Sequence, residues 1–456
     1  MTMNRLALSA MIAGACISGT AFGQTNRTAA PRYAPASYYS YYDEGSNAAP
    51  IVAADSVIPA SATCDTGKTC DSGKPACDLG TGCDSNGCDG QGGNPGGWFG
   101  FGLIGTERAL NDPWKLCKEP VAGITIGGWS DIGYFDRANN YSFNNYAKHV
   151  QLQQQWLYAE RIADGSNGFG LGGRIDYVYG TDAPDTQAFG LTTPSWDNTW
   201  KNGGAYGNAL PQLYGEAAVG NLSVKVGKFF TIIGNEVVQA TGNYFYSRQF
   251  TFYNAEPFTH TGALTTYKVN DDTFIYNGYV LGWDSGYADN GDAYLGGFKT
   301  KVNDTWSVLY STVMGRFGEQ HAPNPNERGG NQSFILMGAL SEKLTFISQT
   351  DSMFTTNAGG ATVRNTFGNI NYLIYKVNDR WSWGQRFEWF NFGGLGFQGV
   401  QNDDLYNYTV GVNYRASSNL LIRPEVRFVW DKERYGFNED FAASQAAIGG
   451  DVLYTF

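Results

Sequence analysis

The sequence predicts an all-β protein: a transmembrane antiparallel β-barrel of about sixteen strands behind a disordered N-terminal extension rich in Cys, Asp and Gly. Three observations carry this. A turn motif recurs at even spacing, the segments between turns alternate apolar and polar residues, and the final strand runs to the last residue, an aromatic.

The turn motif is Lys-Val-Asn-Asp, at Lys268-Val269-Asn270-Asp271, Lys301-Val302-Asn303-Asp304 and Lys376-Val377-Asn378-Asp379, with Phe274, Trp306 or Trp381 close behind. Asn and Asp bond their own backbone and tolerate unusual dihedrals, so each copy reads as a hairpin turn. Weaker equivalents at Ala339-Leu340-Ser341-Glu342-Lys343 and Arg415-Ala416-Ser417-Ser418-Asn419 make the spacing roughly 33 to 39 residues, about two strands per period. Further tight turns are expected at about 163 to 168 and at Gly220-Asn221. Counting from Gly123 to Phe456 then gives about sixteen strands, enough for a water-filled interior.

Alternation defines two faces. Tyr406, Tyr408, Val410, Val412 and Tyr414 share one, and Asn407, Thr409, Gly411 and Asn413 the other. Ile422, Val426, Phe428 and Trp430 oppose Arg423, Glu425 and Arg427, while Trp381, Trp383, Phe387 and Trp389 oppose Ser382, Arg386 and Glu388. In a soluble sandwich or propeller the apolar face would be core; in a membrane barrel it meets lipid and the charges face inward. Three features favour the membrane. Aromatics sit beside the turns, at Phe274, Trp306, Tyr375, Trp381 and Tyr414, where interfacial girdles belong. The alternate connections, near 284 to 292, 317 to 331, 354 to 365, 391 to 404 and 431 to 442, are expected to be long and external. The strand ending in Tyr454 and Phe456 resembles the C-terminal strand by which outer-membrane barrels are recognised for assembly.

Composition agrees: 29 Tyr, 28 Phe, 12 Trp and 60 Gly accompany only 16% charged residues. Residues 1–23, with Arg5, the apolar run Leu6 to Ile17 and the site Ala21-Phe22-Gly23, read as a signal peptide. Its removal takes the formal charge from −11 to −12, because Arg5 is lost, and so acidic a chain has no electrostatic route to nucleic acid. Residues 24–97 form a low-complexity Cys-Asp-rich extension with Cys64, Cys70, Cys77, Cys83 and Cys88, each followed by Asp; Cys117 is the sixth cysteine after the leader. Six cysteines in an exported chain point first to disulfides, with a thiolate metal site, free thiols or intermolecular links as alternatives. The spacings lack the paired two-residue gaps of zinc ribbons, and no metal site is assigned. Residues 98–120 read as a short helical or rim segment, and 121–456 as the barrel.

The third external connection, Thr231 to Pro257, differs from the others. It carries Val237, Val238, Tyr244, Phe245, Tyr246, Phe250, Phe252 and Tyr253 with Glu236, Asn243, Arg248 and Glu256. So aromatic a loop is expected to fold into the barrel and narrow it. Charges facing such a constriction set a transverse field, and the candidates are Glu236, Arg248 and Glu256 from the loop with Arg174, Asp176, Glu216, Lys225, Arg386, Glu388, Arg423, Glu425 and Arg427 from the strands. Some of these would merely pair across strands.

Around this loop, Gly227-Lys228-Phe229, Gly234-Asn235-Glu236, Asn243, Tyr246-Ser247-Arg248 and Pro257-Phe258-Thr259-His260-Thr261-Gly262 resemble the signature of the OmpL-like β-barrel porins of planctomycetes. The resemblance covers about residues 120 to 456 and implies a sixteen-stranded passive outer-membrane channel for small hydrophilic solutes, with a homotrimer as the usual state of such porins. The runner-up is a non-conducting structural or adhesive barrel anchored through the Cys-Asp extension. Enzymatic chemistry finds no support: His149, His260 and His321 belong to no catalytic constellation, and no phosphate-binding, dinucleotide or metal motif implies a cofactor.

Overall fold

A computed structural model describes residue 110 and residues 113–456, apart from 118–119, 141–142, 145, 189–196, 198–199, 201–204, 287–290 and 319–326. The leader, the extension with Cys64 to Cys88, and His321 lie outside the described residues. Among the described residues, Cys117 has no disulfide partner.

Sixteen strands close into one antiparallel barrel. They are β1 (Thr125–Phe135), β2 (Gln151–Arg161), β3 (Phe169–Gly180), β4 (Gly207–Val219), β5 (Leu222–Phe230), β6 (Thr259–Asn270), β7 (Thr273–Val280), β8 (Asp292–Lys301), β9 (Trp306–Gly318), β10 (Glu327–Ala339), β11 (Leu344–Thr356), β12 (Thr362–Lys376), β13 (Trp381–Gly394), β14 (Val400–Arg415), β15 (Leu420–Asp431) and β16 (Ser444–Thr455). Each strand pairs with its sequence neighbours, and β1 closes on β16 from Trp129 opposite Thr455 to Phe135 opposite Gly449. Closure extends to the terminal residue, because Phe456 and Gly128 exchange two backbone hydrogen bonds of 2.9 Å. No edge is left to pair with another chain.

Turn chemistry explains the even spacing. The side-chain oxygen of Asn270 accepts the Asp272 amide, Asn303 accepts the Thr305 and Trp306 amides, and Asn378 accepts those of Arg380 and Trp381, all at 2.9 Å. Lys and Asp of each copy then pair at i,i+3, at 2.8, 2.8 and 3.1 Å. The hydrogen bond and charge of Lys268 hold the Asp271 carboxyl below the usual carboxylate range, as Lys301 does for Asp304. In the weaker copies Ser341 and Ser417 replace Asn, their hydroxyls accepting amides at 3.1 to 3.3 Å.

The two faces follow the alternation. On β13 to β16, Trp383, Phe387, Tyr406, Trp430, Ile448 and Tyr454 are exposed outward, while Arg386, Glu388, Asn407, Arg423, Glu425, Arg427 and Asp451 are buried inward. Phe274 departs from the expectation. It is buried on the inner face of β7 beside Tyr276, whereas Ile275 and Tyr279 face out, so it belongs to no external girdle. Two connections are also shorter than expected. β11 and β12 leave only 357–361, and β13 and β14 leave 395–399, because Gly, Asn and Asp near the strand ends still join the hydrogen-bond ladder.

Among its described residues, 110, 113–117 and 120, the segment expected as helix or rim has no helix. Trp114 lies against the turn at 415–419: its amide donates to Asn419 Oδ1, and Asn419 Nδ2 donates to its carbonyl, both at 2.7 Å. Its ring is 6.4 Å from that of Phe456.

Candidate functional site

The connection after β5 turns into the barrel and is buried along almost its whole length. It contains one 3-10 turn, Ala240–Gly242, and one short helix, Phe250–Ala255. Too many of its backbone groups lie outside regular structure to be buried unpaired, so inward-facing wall residues must satisfy them.

β13 and β15 do most of this. Arg386 bonds Glu236, the Ser247 carbonyl at 2.9 Å and the Ser247 hydroxyl at 3.1 Å. Glu388 accepts the Phe250 amide at 3.0 Å and the Thr251 amide at 2.7 Å. Glu425 accepts the Tyr246 amide at 2.8 Å and the Ser247 amide at 3.2 Å. Arg423 donates to the carbonyls of Ala240 at 2.9 Å and Asn243 at 2.6 Å while paired with Asp451. Charged groups on neutral amides and carbonyls make the strong class of hydrogen bond, here aimed at one loop.

The opposite walls hold it from other sides. Gln154 on β2 accepts the Ala240 amide at 3.0 Å and donates to the Val238 carbonyl at 2.6 Å. On β10 and β11, Asn331 donates to the Ala255 carbonyl at 2.5 Å and Gln349 accepts the Asn235 amide at 3.1 Å. Within the loop, Arg248 donates to the carbonyls of Val237, Tyr246 and Val238 at 3.1, 2.9 and 3.1 Å, and Glu236 accepts the Gln249 amide at 2.7 Å. Glu256 takes its hydrogen bond from Gln349 at 2.6 Å. Wall glycines make room: a Cβ on Gly384 would stand 2.5 Å from Tyr244 Cε1, while Gly133 faces Tyr246 and Gly368 faces Thr251.

The strand charges thus divide. Arg386, Glu388, Arg423 and Glu425 lie under the loop, as does Arg427, which stacks 4.4 Å from the Phe250 ring. Arg174, Asp176, Glu216 and Lys225 stand on the other wall. Arg174 binds Asp176 and Glu160, each at 3.1 Å, over the Tyr158 ring at 4.6 Å. Glu216 stands opposite Lys225, whose ammonium is 4.7 Å from the Tyr214 ring. Between this wall and the loop lies a cavity of about 200 Å³ lined by Tyr158, Arg174, Gln212, Lys225, Gln239 and Thr241. A larger one, about 470 Å³, opens at the tight-turn end between the rim, with Trp114 and Phe456, and the loop residues Thr241, Asn243 and Tyr244. Tyr158 and Thr241 border both, so the two adjoin.

Several contributors were not singled out in the sequence: Glu160, Asp451, Gln154, Asn331, Gln349 and Tyr372, whose hydroxyl bonds Glu236 at 2.8 Å. Asp451 alone carried a signal, as the one charge on the inward face of the last strand. His260 bonds the Gly282 carbonyl and the Thr231 hydroxyl at 2.9 and 2.8 Å, tying the loop base to β6.

No curated protein matches the chain significantly. Among solved structures it is similar to a loop-deletion form of OmpT, an outer membrane protein of Vibrio cholerae, with 10% identity over 73% of this chain and 99% of that one and a TM-score of 0.51. Others are an anion-selective porin from Comamonas acidovorans (9% identity, 73% and 99% coverage, TM-score 0.48) and the outer membrane channel DcaP of Acinetobacter baumannii (11%, 75% and 99%, 0.47). At such identity the likeness concerns the fold alone. The family model described as "Putative beta-barrel porin-2, OmpL-like" matches residues 123–456, which are the whole barrel, and the chain belongs to that family of outer-membrane porins.

Proposed function

We propose that the protein passes small hydrophilic solutes and ions passively, along the wall formed by β1 to β6, with the third loop as its constriction. The carrying observation is the polar cavity beside the loop adjoining the wider cavity at the tight-turn end. The charged residues that line it, Arg174 and Lys225, each stand beside carboxylates, Glu160 and Asp176 for the first and Glu216 for the second, and the net acidity of the chain favours mild cation preference. The tight turns and both barrel ends then lie on the periplasmic side and the long loops outside. A homotrimer is supported by polar residues on the outer face: Asn369 donates to Thr350 at 3.1 Å, Asn371 to Asn369 at 2.8 Å, and Tyr408 to Gln385 at 2.8 Å. Such groups suit a protein neighbour better than lipid.

Planar-bilayer conductance with liposome swelling tests the reading. Discrete conductance steps and sugar-driven swelling are expected, and folded protein that gives neither would overturn it. The burial of the loop favours one second reading, a plugged barrel whose role is attachment through the Cys-Asp extension. Deleting residues 24–97 separates the two, because a porin keeps its conductance and an anchor loses its function.

A further inference from the structure

The inner wall from β9 to β11 carries buried oxygens apart from the charged residues of β13 and β15 that hold the loop. Ser311 stands opposite Ser333, and Ser333 opposite Asp351, in one cross-strand row. All three are buried, as is Asn331 two residues along the same face. Glu256 comes down from the loop beside this row. Gln349 Nε2 donates to Glu256 Oε1 at 2.6 Å and to Asp351 Oδ2 at 2.9 Å, so one amide nitrogen holds the two carboxylates side by side. The neighbouring charges Glu236 and Glu388 act on this pair and are also negative. Adjacent carboxylates away from water need either a shared proton or a cation.

A second observation favours the cation. Donation by Asn331 Nδ2 to the Ala255 carbonyl fixes the amide orientation and leaves Oδ1 as an acceptor beside the residue that precedes Glu256. Asn331 Oδ1 accepts no hydrogen bond, although the residue is buried. A proton shared by the carboxylates would leave the Asn331 oxygen unsatisfied, whereas a cation uses it.

We infer that Glu256 and Asp351, with Asn331 Oδ1 and the Ser333 hydroxyl, bind a hard divalent cation, Ca²⁺, that ties the end of the third loop to the wall. The donors are all oxygens, two of them anionic, and Ca²⁺ accepts six to eight such ligands in irregular geometry with water completing the set. Mg²⁺ is disfavoured, because it demands a near-ideal octahedron and gives up water reluctantly.

The test uses the full chain folded in detergent and stripped with EDTA. Equilibrium dialysis with Ca²⁺ should give about one ion per chain, and the thermal transition should rise on Ca²⁺ addition more than on Mg²⁺ addition. Asp351→Asn should weaken binding more than about 10-fold. Asn331→Ala keeps both carboxylates and should still weaken it several-fold, which decides the matter if Asp351→Asn does not fold. Asp304→Asn, in an exposed turn, should bind as the parent does. Absence of Ca²⁺ binding overturns the inference, as does binding unchanged by both site variants. A transition that responds to acid but not to Ca²⁺ identifies a shared proton and equally overturns it. Conductance is no part of the readout, so the outcome is independent of whether the barrel conducts.

Discussion

Arg423 on β15 stands directly opposite Asp451 on β16, its Nε 2.9 Å from Oδ1, and the same guanidinium reaches two carbonyls of the third loop. Asp131 on β1 adds a second carboxylate next to Asp451. One cation therefore both pairs with a carboxylate at the barrel seam and holds the loop. Arg423→Ala should cost about 3–5 kcal/mol, because removing one partner strands buried charge. A lower thermal transition, followed by heat-modified gel mobility, together with larger and noisier conductance steps, is the expected outcome; an unchanged transition would exclude this role.

Packing against the wall glycines gives a steric prediction. A side chain at Gly384 collides with the Tyr244 ring, whereas a Cβ at Gly215, on the outer face of β4, meets no heavy atom within 4 Å. Gly384→Val should destabilise the folded protein by about 1–3 kcal/mol. Gly215→Ala should stay within about 0.5 kcal/mol of the parent. Thermal unfolding in detergent measures both.

Selectivity should follow the cavity wall and not the covered wall. Lys225→Glu, beside the 200 Å³ cavity, should raise the cation-to-anion permeability ratio roughly two- to five-fold. Arg427→Gln, whose guanidinium is buried against Phe250, should leave the ratio nearly unchanged. Reversal potentials across a salt gradient read both, and the opposite ranking would move the passage to the other side of the loop.

Phe456 separates assembly from stability. Its backbone pairing with Gly128 survives truncation of the ring, which lies over Gly128 and near Trp114 and Tyr454. Phe456→Ala should lower the amount of protein assembled in the outer membrane severalfold, while protein refolded in detergent should melt close to the parent. Equal assembly in cells would remove the aromatic terminus as a recognition signal.

Strand number, turn positions and face assignment were legible in the sequence because they rest on local rules: two-residue periodicity, and Asn or Ser side chains capping their own backbone. The same locality explains two errors. Gly, Asn and Asp between 354 and 365 and between 391 and 404 resemble loop, yet a neighbouring strand lets them continue the ladder. Phe274 resembles a girdle residue until the closed barrel shows it buried on the inner face of β7.

The candidate charges were legible as inward-facing, and the third loop as one that must leave water. Their partners were not. That Glu388 caps Phe250 and Thr251, that Arg386 reaches Glu236 across 150 residues, and that Glu256 settles beside Asp351 depend on barrel closure, which sets segments remote in sequence against each other. The chain by itself thus determined a barrel and the segment that enters it. Only the tertiary structure decided which wall the loop covers and which it leaves beside a cavity, because buried polar groups choose their partners through space and not along the chain.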